Sequence, residues 1–288
     1  AVVKDLLILA VVLGVGLYLP YHYYGGIEAM WRAVEAAKPG FLTLPDKGFS
    51  ATWYISTLLL VSLGFFMWPH TFLATFSAKN ANALRKNAIM LPIYALFLLF
   101  VIFAGTAAVL EVPGLTGGGI DLALFKISMK TFNPVIVGFI GAAGLLTAIV
   151  PGSLIIMSAS ALFAKNIVKT LRPQTTDQQT AKLAKAMVPV FALITLYATF
   201  GGGDAITLLF LMGYGFVTQL TPAVIGGLME NNPFTKEGVF AGISAGAIIV
   251  AVQAITKFNM STLLPTFPSF VHDLNIGFLA LSVNIVVC

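Results

Sequence analysis

The chain has 288 residues, of which 58% are hydrophobic and only 9% are charged. Soluble domains carry about 25% charged residues, so this composition excludes a water-soluble enzyme and indicates a helical integral membrane protein. Cys288 is the single cysteine, which rules out an internal disulfide, and His22, His70 and His272 are too far apart to predict a metal site. The net charge of +5 suits anionic lipid headgroups and does not require nucleic acid as a partner.

Apolar segments long enough to cross a bilayer occur about eight times along the chain. They lie at residues 2–20, 51–69, 87–110, 134–163, 187–200, 205–228, 239–255 and 274–288. Within lipid a helix satisfies all of its own backbone hydrogen bonds, so these segments are predicted to be helices. The sequence therefore predicts an all-α integral membrane protein with about eight transmembrane helices.

The basic residues are distributed unequally between the two sets of alternate loops. One set carries Lys4, Lys79, Arg85, Lys86, Lys165, Lys169, Arg172, Lys182, Lys185 and Lys236. The other set carries Arg32, Lys38, Lys47, Lys126, Lys130 and Lys257. The positive-inside rule places the first set in the cytoplasm. With about eight spans, a multi-pass protein of the plasma membrane is expected.

Two segments differ from simple spans. Residues 26–37 alternate apolar and charged side chains at helical spacing, which predicts a helix lying in the outer membrane interface. Residues 134–168 would form a helix of about 50 Å, against a hydrocarbon core of about 30 Å, so this helix must tilt, kink or extend into the cytoplasm. Pro151 lies near its middle and frees a backbone carbonyl there.

The central parts of the predicted spans contain essentially no ionisable residue, which argues against a proton relay and a voltage sensor. Backbone carbonyls, hydroxyls and aromatic faces remain as candidate ligands. Residues 147–153 supply two hydroxyls, a proline-freed carbonyl and a glycine, a set that suits sodium. The same residues also fit a kinked packing helix whose hydroxyls bond back to their own turn. Phe65, Phe66 and Trp68 could stack on a ligand or pack against protein and lipid.

Local motifs predict three further features. Thr176 and Gln179 have the spacing of a capping box and predict the start of a helix. Gly242 and Gly246 have the spacing of a close helix–helix contact. The glycine run within residues 201–204 predicts a loop.

Two sets of motifs resemble the sodium:solute symporter family. Trp-Pro-His at 68–70, Ser-Ala-Lys at 77–79 and Leu-Pro-Ile-Tyr at 91–94 resemble the family's Pro-His pair, short Ala-Lys loop and following helix. Ala-Ile-Val-Pro at 148–151, with Phe-Ala-Lys-Asn-Ile at 163–167, is similar to the branch assigned to monocarboxylates such as lactate, pyruvate or acetate. The resemblance covers essentially the whole chain.

The resemblance implies a five-plus-five inverted-repeat transporter fold. Residues 2–20 would be the fifth core helix, residues 51–228 the sixth to tenth, and the last two spans would be peripheral. The chain, residues 1–288, would then be a single polytopic membrane domain and a fragment of a longer protein. Its first four core helices, in the N-terminal half of the same protein, would be missing.

The resemblance also implies site residues. The implied substrate-binding residues are Phe65, Phe66, Trp68, Thr218 and Gln219. The implied cation-binding residues are Ala148, Pro151, Gly152 and Ser153, with Ala148 at the position of a carbonyl ligand. The implied residues of the cytoplasmic mouth or gate are Asp5 and His70. Pro151 and Gly152 stand where the family usually has hydroxyls, and Lys4 stands where it usually has Thr.

The implied function is secondary transport of a small organic anion, a monocarboxylate, coupled to sodium or protons by alternating access across the lipid bilayer. No enzyme activity is expected, and no cofactor other than sodium as the possible coupling ion. A different class of function stays open: a symporter-like sensory membrane domain of a signalling protein. A channel is a weaker hypothesis, because the sequence has no carbonyl filter or ring of like charges.

Overall fold

A computed structural model describes residues 2–202, 206–258, 260–263 and 265–288, and within these ranges the chain is helical with no strands. In chain order the first helices are α1 Val2–Tyr24, α2 Ile27–Ala37, α3 Ala51–Gly64, α4 Pro69–Phe76, α5 Ala81–Leu96, α6 Leu98–Glu111, α7 Ala123–Thr131 and α8 Pro134–Leu162. The remaining helices are α9 Lys169–Leu171, α10 Asp177–Gly202, α11 Ile206–Val217, α12 Thr221–Leu228, α13 Lys236–Thr256, α14 Met260–Leu263, α15 Ser269–His272 and α16 Ile276–Val287. Turns of 3-10 helix lie at Phe65–Met67, Gly117–Leu122 and Thr218–Leu220.

Six helical segments of the described chain are long and apolar enough to cross a bilayer. They are Asp5–Tyr24, Ala81–Glu111, Pro134–Leu171, Asp177–Phe200, Ile206–Leu228 and Lys236–Thr256. Ala51–Met67 and Pro69–Phe76 form a further, bent pair with an angle of 49° between them, and Ile276–Val287 is apolar but shorter. These segments confirm an all-helical membrane protein, while the count of about eight spans and the inverted repeat stay predictions.

The span predicted at residues 187–200 begins earlier in the structure, at Asp177. The predicted capping box explains this start: the Thr176 amide donates to Gln179 Oε1 at 2.9 Å, and the Gln179 amide donates to Thr176 Oγ1 at 3.2 Å. Helix α10 continues to Gly202, into the loop predicted at residues 201–204. The rest of that loop and the first residue of the span predicted at 205–228 lie outside the described residues.

The predicted amphipathic helix at residues 26–37 is α2, but its apolar side faces protein. Met30 and Val34 are fully buried, and Met30 belongs to the hydrophobic core. The apolar positions of α2 pack on α1 and α6. Burial of this kind explains the periodicity as well as a membrane interface would.

The long segment from Pro134 stays helical to Leu171 without a break at Pro151. Its irregularity lies further on, in a π-helical turn at Phe163–Val168. Proline in a membrane helix removes one backbone donor, and neighbouring groups can satisfy the freed carbonyl without ending the helix. The sequence drew attention to Pro151, whereas the helix departs from α geometry at Phe163–Val168, which no sequence pattern indicated.

The chain divides into two compact units. The first unit comprises residues 1–39 and 73–205, and its core lies where α1 packs against α6 and α8. The buried core residues of this unit are Val15, Leu19, Met30, Ala104, Ala107, Ala108, Ile127 and Ile140. The second unit comprises residues 40–72 and 206–288, and it contains α3 and α11 to α16. That residues 1–288 form a single membrane domain stays a prediction.

Polar contacts at one end of the first unit tie α7 to α1 and α6. The hydroxyls of Tyr23 and Thr131 are hydrogen-bonded at 2.8 Å, and Lys130 Nζ lies 2.5 Å from Glu111 Oε2. The hydrogen bond to Glu111 raises the pKa of Lys130 above its ordinary value. Lys130 also lies 5.3 Å from the centre of the Tyr23 ring, within the range of a cation–π contact.

Candidate functional site

Helix α3 ends in a bend that creates an aromatic cluster. The 3-10 turn Phe65–Met67 follows α3, and Trp68 then adopts an extended conformation with ψ at 130°. A residue that precedes proline avoids the helical region, so Pro69 enforces the bend and starts α4. The predicted residues Phe65, Phe66, Trp68 and His70 therefore lie together at this bend.

Trp68 packs on α11. Its ring stacks on Phe210 with a centroid distance of 5.6 Å and meets Tyr214 edge-on at 5.4 Å. Gly213 makes this approach possible, because a Cβ there would lie 2.8 Å from the indole ring. Trp68 is thus held by protein contacts, as the packing interpretation of the sequence expects.

Phe65 and Phe66 form an edge-on pair of their own at 5.1 Å, and Phe66 is 45% exposed. Its exposed ring is available to a ligand or to lipid. His70 lies in the first turn of α4, 6.0 Å from Trp68 between ring centres. Its Nδ1 atom is buried and has no hydrogen-bond partner in the described part of the chain.

A second discontinuity separates α11 from α12. Pro222 has no N–H, so the α-helical bond to the Thr218 carbonyl is replaced by a 3-10 bond from the Thr221 amide. The two threonine hydroxyls then reach α3: Thr218 Oγ1 donates to the Leu60 carbonyl and Thr221 Oγ1 to the Leu63 carbonyl, both at 3.2 Å. Carbonyls near a helix end need such donors, so the break is fastened to the end of α3.

Thr218 and Gln219, predicted to contact substrate, are both fully buried at this break. Gln219 Nε2 donates to the Gly215 carbonyl at 2.9 Å and to the Gly277 carbonyl at 3.3 Å. Asn284 Nδ2 donates to Gln219 Oε1 at 3.1 Å. Both side chains therefore bond to protein in this structure, and their contact with substrate stays a prediction.

The predicted cation-binding residues lie on α8, in the first unit. Ala148, Pro151 and Ser153 are exposed, and a Cβ on Gly152 would meet nothing within 4 Å. Ser153 Oγ donates to the Val150 carbonyl at 2.9 Å, the bond to its own turn that the packing-helix interpretation expects. The cation site stays a prediction, as does the role of Asp5, which lies in the first turn of α1 in the same unit.

The structure thus groups the predicted site residues into two sets, one in each unit. The substrate residues and His70 belong to the second unit, and the cation residues and Asp5 belong to the first. Sequence reasoning missed Tyr214 and Asn284. A buried Asn within an apolar run is the signal that could have identified Asn284, because amides inside membrane helices pair with other polar groups.

Comparison with known proteins identifies the family. The model of the sodium:solute symporter family matches residues 2–246. The chain is 55% identical over 287 residues to the uncharacterized symporter YhjB of Bacillus subtilis, covering 100% of the chain and 59% of that relative. It is 32% identical over 261 residues to the uncharacterized symporter YodF of Bacillus subtilis, covering 89% of the chain and 52% of that relative.

A third relative is the monocarboxylate transport permease protein of Rhizobium johnstonii, 31% identical over 301 residues, covering 100% of the chain and 58% of that relative. No solved structure matches the chain. The chain thus spans between 52% and 59% of the length of these relatives. Two of these relatives are named as symporters and one as a transport permease, and none of the three names supports the sensory alternative. The chain is a multi-pass protein of the plasma membrane, and it belongs to the sodium:solute symporter family.

Proposed function

We propose that the full-length protein is a secondary active symporter that moves a small organic solute together with a cation by alternating access. The observation that carries this proposal is the family match over residues 2–246, joined by two relatives that are named as symporters. Because the chain spans between 52% and 59% of the relatives' length, the activity belongs to the longer protein.

The solute in this proposal is a monocarboxylate. Support comes from the relative named as a monocarboxylate transport permease and from the Ala-Ile-Val-Pro motif at residues 148–151. The solute would lie beside the bend at the end of α3, where Phe66 offers an exposed ring and Trp68 is held in place by two aromatic contacts. An apolar wall of this kind suits the carbon skeleton of lactate or pyruvate.

The coupling cation in this proposal is sodium, bound on α8. Sodium prefers oxygen ligands, including carbonyls at irregular points of a membrane helix. Pro151 leaves the Thr147 carbonyl without its helical donor, and Ala148 offers a neighbouring carbonyl. The Ser153 hydroxyl donates a hydrogen bond to the Val150 carbonyl, so the lone pairs of its oxygen stay available to a cation.

The cytoplasmic mouth in this proposal is marked by His70 and Asp5. His70 follows the bend at the end of α3 and carries a buried nitrogen without a partner in the described residues. Asp5 lies in the first turn of α1, at the end that the basic loops place in the cytoplasm.

The test uses the full-length protein in proteoliposomes with radiolabelled lactate, pyruvate or acetate. We expect uptake when an inward sodium gradient is imposed, and little uptake when potassium replaces sodium or when a neutral sugar such as glucose replaces the monocarboxylate. A pH gradient without sodium tests proton coupling separately. Uptake driven by the pH gradient alone would overturn sodium coupling. If neither gradient drives uptake of any of the three acids, the proposal that the solute is a monocarboxylate is wrong.

A further inference from the structure

Helix α16 carries a buried amide, that of Asn284, within the second unit. Asn284 and Gln219 are both fully buried, and a buried amide is costly unless its donors and acceptors are used. Asn284 Nδ2 donates to the Gln219 main-chain carbonyl at 2.7 Å and to Gln219 Oε1 at 3.1 Å. Asn284 therefore binds both the backbone and the side chain of one residue.

Gln219 is the central residue of the 3-10 turn Thr218–Leu220 that separates α11 from α12. The two donors of its amide are used by the carbonyls of Gly215 and Gly277, and the amide oxygen accepts from Asn284. All the polar atoms of this side chain are thus satisfied by protein. The break is tied to α16 at two points, Gly277 and Asn284.

Two glycines of α13 leave space for this pair. A Cβ on Gly246 would lie 2.1 Å from Gln219 Oε1, and a Cβ on Gly242 would lie 2.5 Å from Asn284 Oδ1. The Gly-x-x-x-Gly spacing therefore does more than bring two helices together. It leaves the space that the two amides occupy, which a Cβ at either glycine would fill.

We propose that Asn284 is a positioning residue for transport: by holding Gln219 it fixes the α11–α12 break in one arrangement, so that the break and α16 move together. This inference rests on the proposed symport. Helix α16 lies beyond residues 2–246, so the family match does not account for the contact. Broken helices are where transporters of this kind bind and release their cargo, which makes the arrangement of the break important for turnover.

The test combines a distance measurement with transport in the full-length protein. Spin labels are placed at Leu220→Cys, on the break, and at Ile255→Cys, near the end of α13, with Cys288→Ser as background. Double electron–electron resonance then gives the distribution of distances between the two spin labels. The Asn284→Leu variant removes both donors to Gln219, and Ser282→Ala is the matched control on α16, since Ser282 Oγ donates only to its own turn at Phe278.

We expect one narrow distance distribution in the parent protein and in Ser282→Ala, and a broadened or double distribution in Asn284→Leu. We expect uptake at saturating solute to fall about tenfold in Asn284→Leu and to stay within about twofold in the control. If Asn284→Leu does not fold, the double variant Gln219→Leu with Asn284→Leu replaces both amides by apolar groups of similar size, and it should show the same broadening.

Two outcomes would overturn the proposal. An unchanged distance distribution after loss of the Asn284 donors would show that Asn284 does not hold the break. A broadened distribution with normal uptake would show that the arrangement of the break does not matter for transport. The distance measurement needs no transport, so it remains decisive even if the parent protein carries none of the tested solutes.

Discussion

Ser153 shows how one hydroxyl can form a hydrogen bond within its own helix and still have lone pairs for a cation. Its hydroxyl donates to the Val150 carbonyl, which satisfies the proton without using the lone pairs of the oxygen. The residue is exposed on α8, nearly two turns beyond Thr147, whose carbonyl Pro151 frees. An own-turn hydrogen bond is therefore compatible with cation binding and does not decide against it.

The Ser153→Ala variant of the full-length protein removes one proposed sodium ligand and leaves α8 intact. We expect the half-saturating sodium concentration for uptake to rise by about tenfold, since one lost ligand is worth roughly 1–2 kcal/mol. Uptake measured as a function of sodium concentration checks this, with Ser282→Ala as the control because its hydroxyl also bonds to its own turn. An unchanged sodium dependence would remove Ser153 from the ligand set.

Asn284 and Gln219 mark the limit of prediction at the residue scale. Each amide is visible in the sequence as a polar residue near or within an apolar segment. That they bond to each other depends on a contact between residues far apart in the chain, at distances of 2.7 and 3.1 Å. Periodicity and spacing describe neighbours on one helix, so a partner on another helix is not contained in them.

At the scale of the helices, the prolines show the same limit, because some of them lie at a break and others lie inside a continuous helix. Pro69 and Pro222 lie at helix starts after a 3-10 turn, whereas Pro92, Pro151 and Pro189 lie inside continuous helices. The chemistry of each proline is the same, because each lacks an N–H. What differs is tertiary: at the Pro222 break, threonine hydroxyls from the turn bond to carbonyls of α3. For the helix that contains Pro151 the sequence left a tilt, a kink or an extension into the cytoplasm open, and no pattern in it indicated the hydroxyl contacts at the Pro222 break.

Short-range patterns were more informative about the elements. The capping box at Thr176 and Gln179 was confirmed by both of its hydrogen bonds. The glycine pair Gly242 and Gly246 was confirmed as a close contact of α13. These patterns succeed because the partner is within one helical turn, or because a missing side chain is itself the signal.

Gly64 provides a test of how α3 meets the break. A Cβ at this position would lie 2.0 Å from Thr218 Oγ1, so Gly64→Ala must push the break away from α3. We expect the variant to lose about 1–3 kcal/mol of stability, which is the usual cost of overpacking. Thermal unfolding of the purified full-length protein measures this loss.

The matched control for Gly64→Ala is Gly227→Ala on α12, where a Cβ would meet nothing within 4 Å. This control should unfold at the parent temperature or slightly above it, because alanine favours a helix over glycine. If both variants behave like the parent protein, the close approach of α3 to Thr218 is not a feature of the folded protein.

At the scale of the whole molecule, the chain accounts for between 52% and 59% of the length of its relatives. Transporters with internal repeats bind their cargo between the repeats, so a site of this kind needs both. We expect residues 1–288 alone, reconstituted in proteoliposomes under a sodium gradient, to show no gradient-driven uptake of labelled lactate or pyruvate. The full-length protein at equal density is the control, and robust uptake by residues 1–288 would contradict the two-part site.

Family membership and the apolar helices place the whole molecule in the membrane, and coupling is the central claim that remains to be measured. The most direct measurement is accumulation of a labelled monocarboxylate by the full-length protein in vesicles with equal solute inside and outside. An inward sodium gradient should drive a transient accumulation above equilibrium, and a sodium ionophore should abolish it. Equilibration without accumulation, unaffected by the ionophore, would contradict symport.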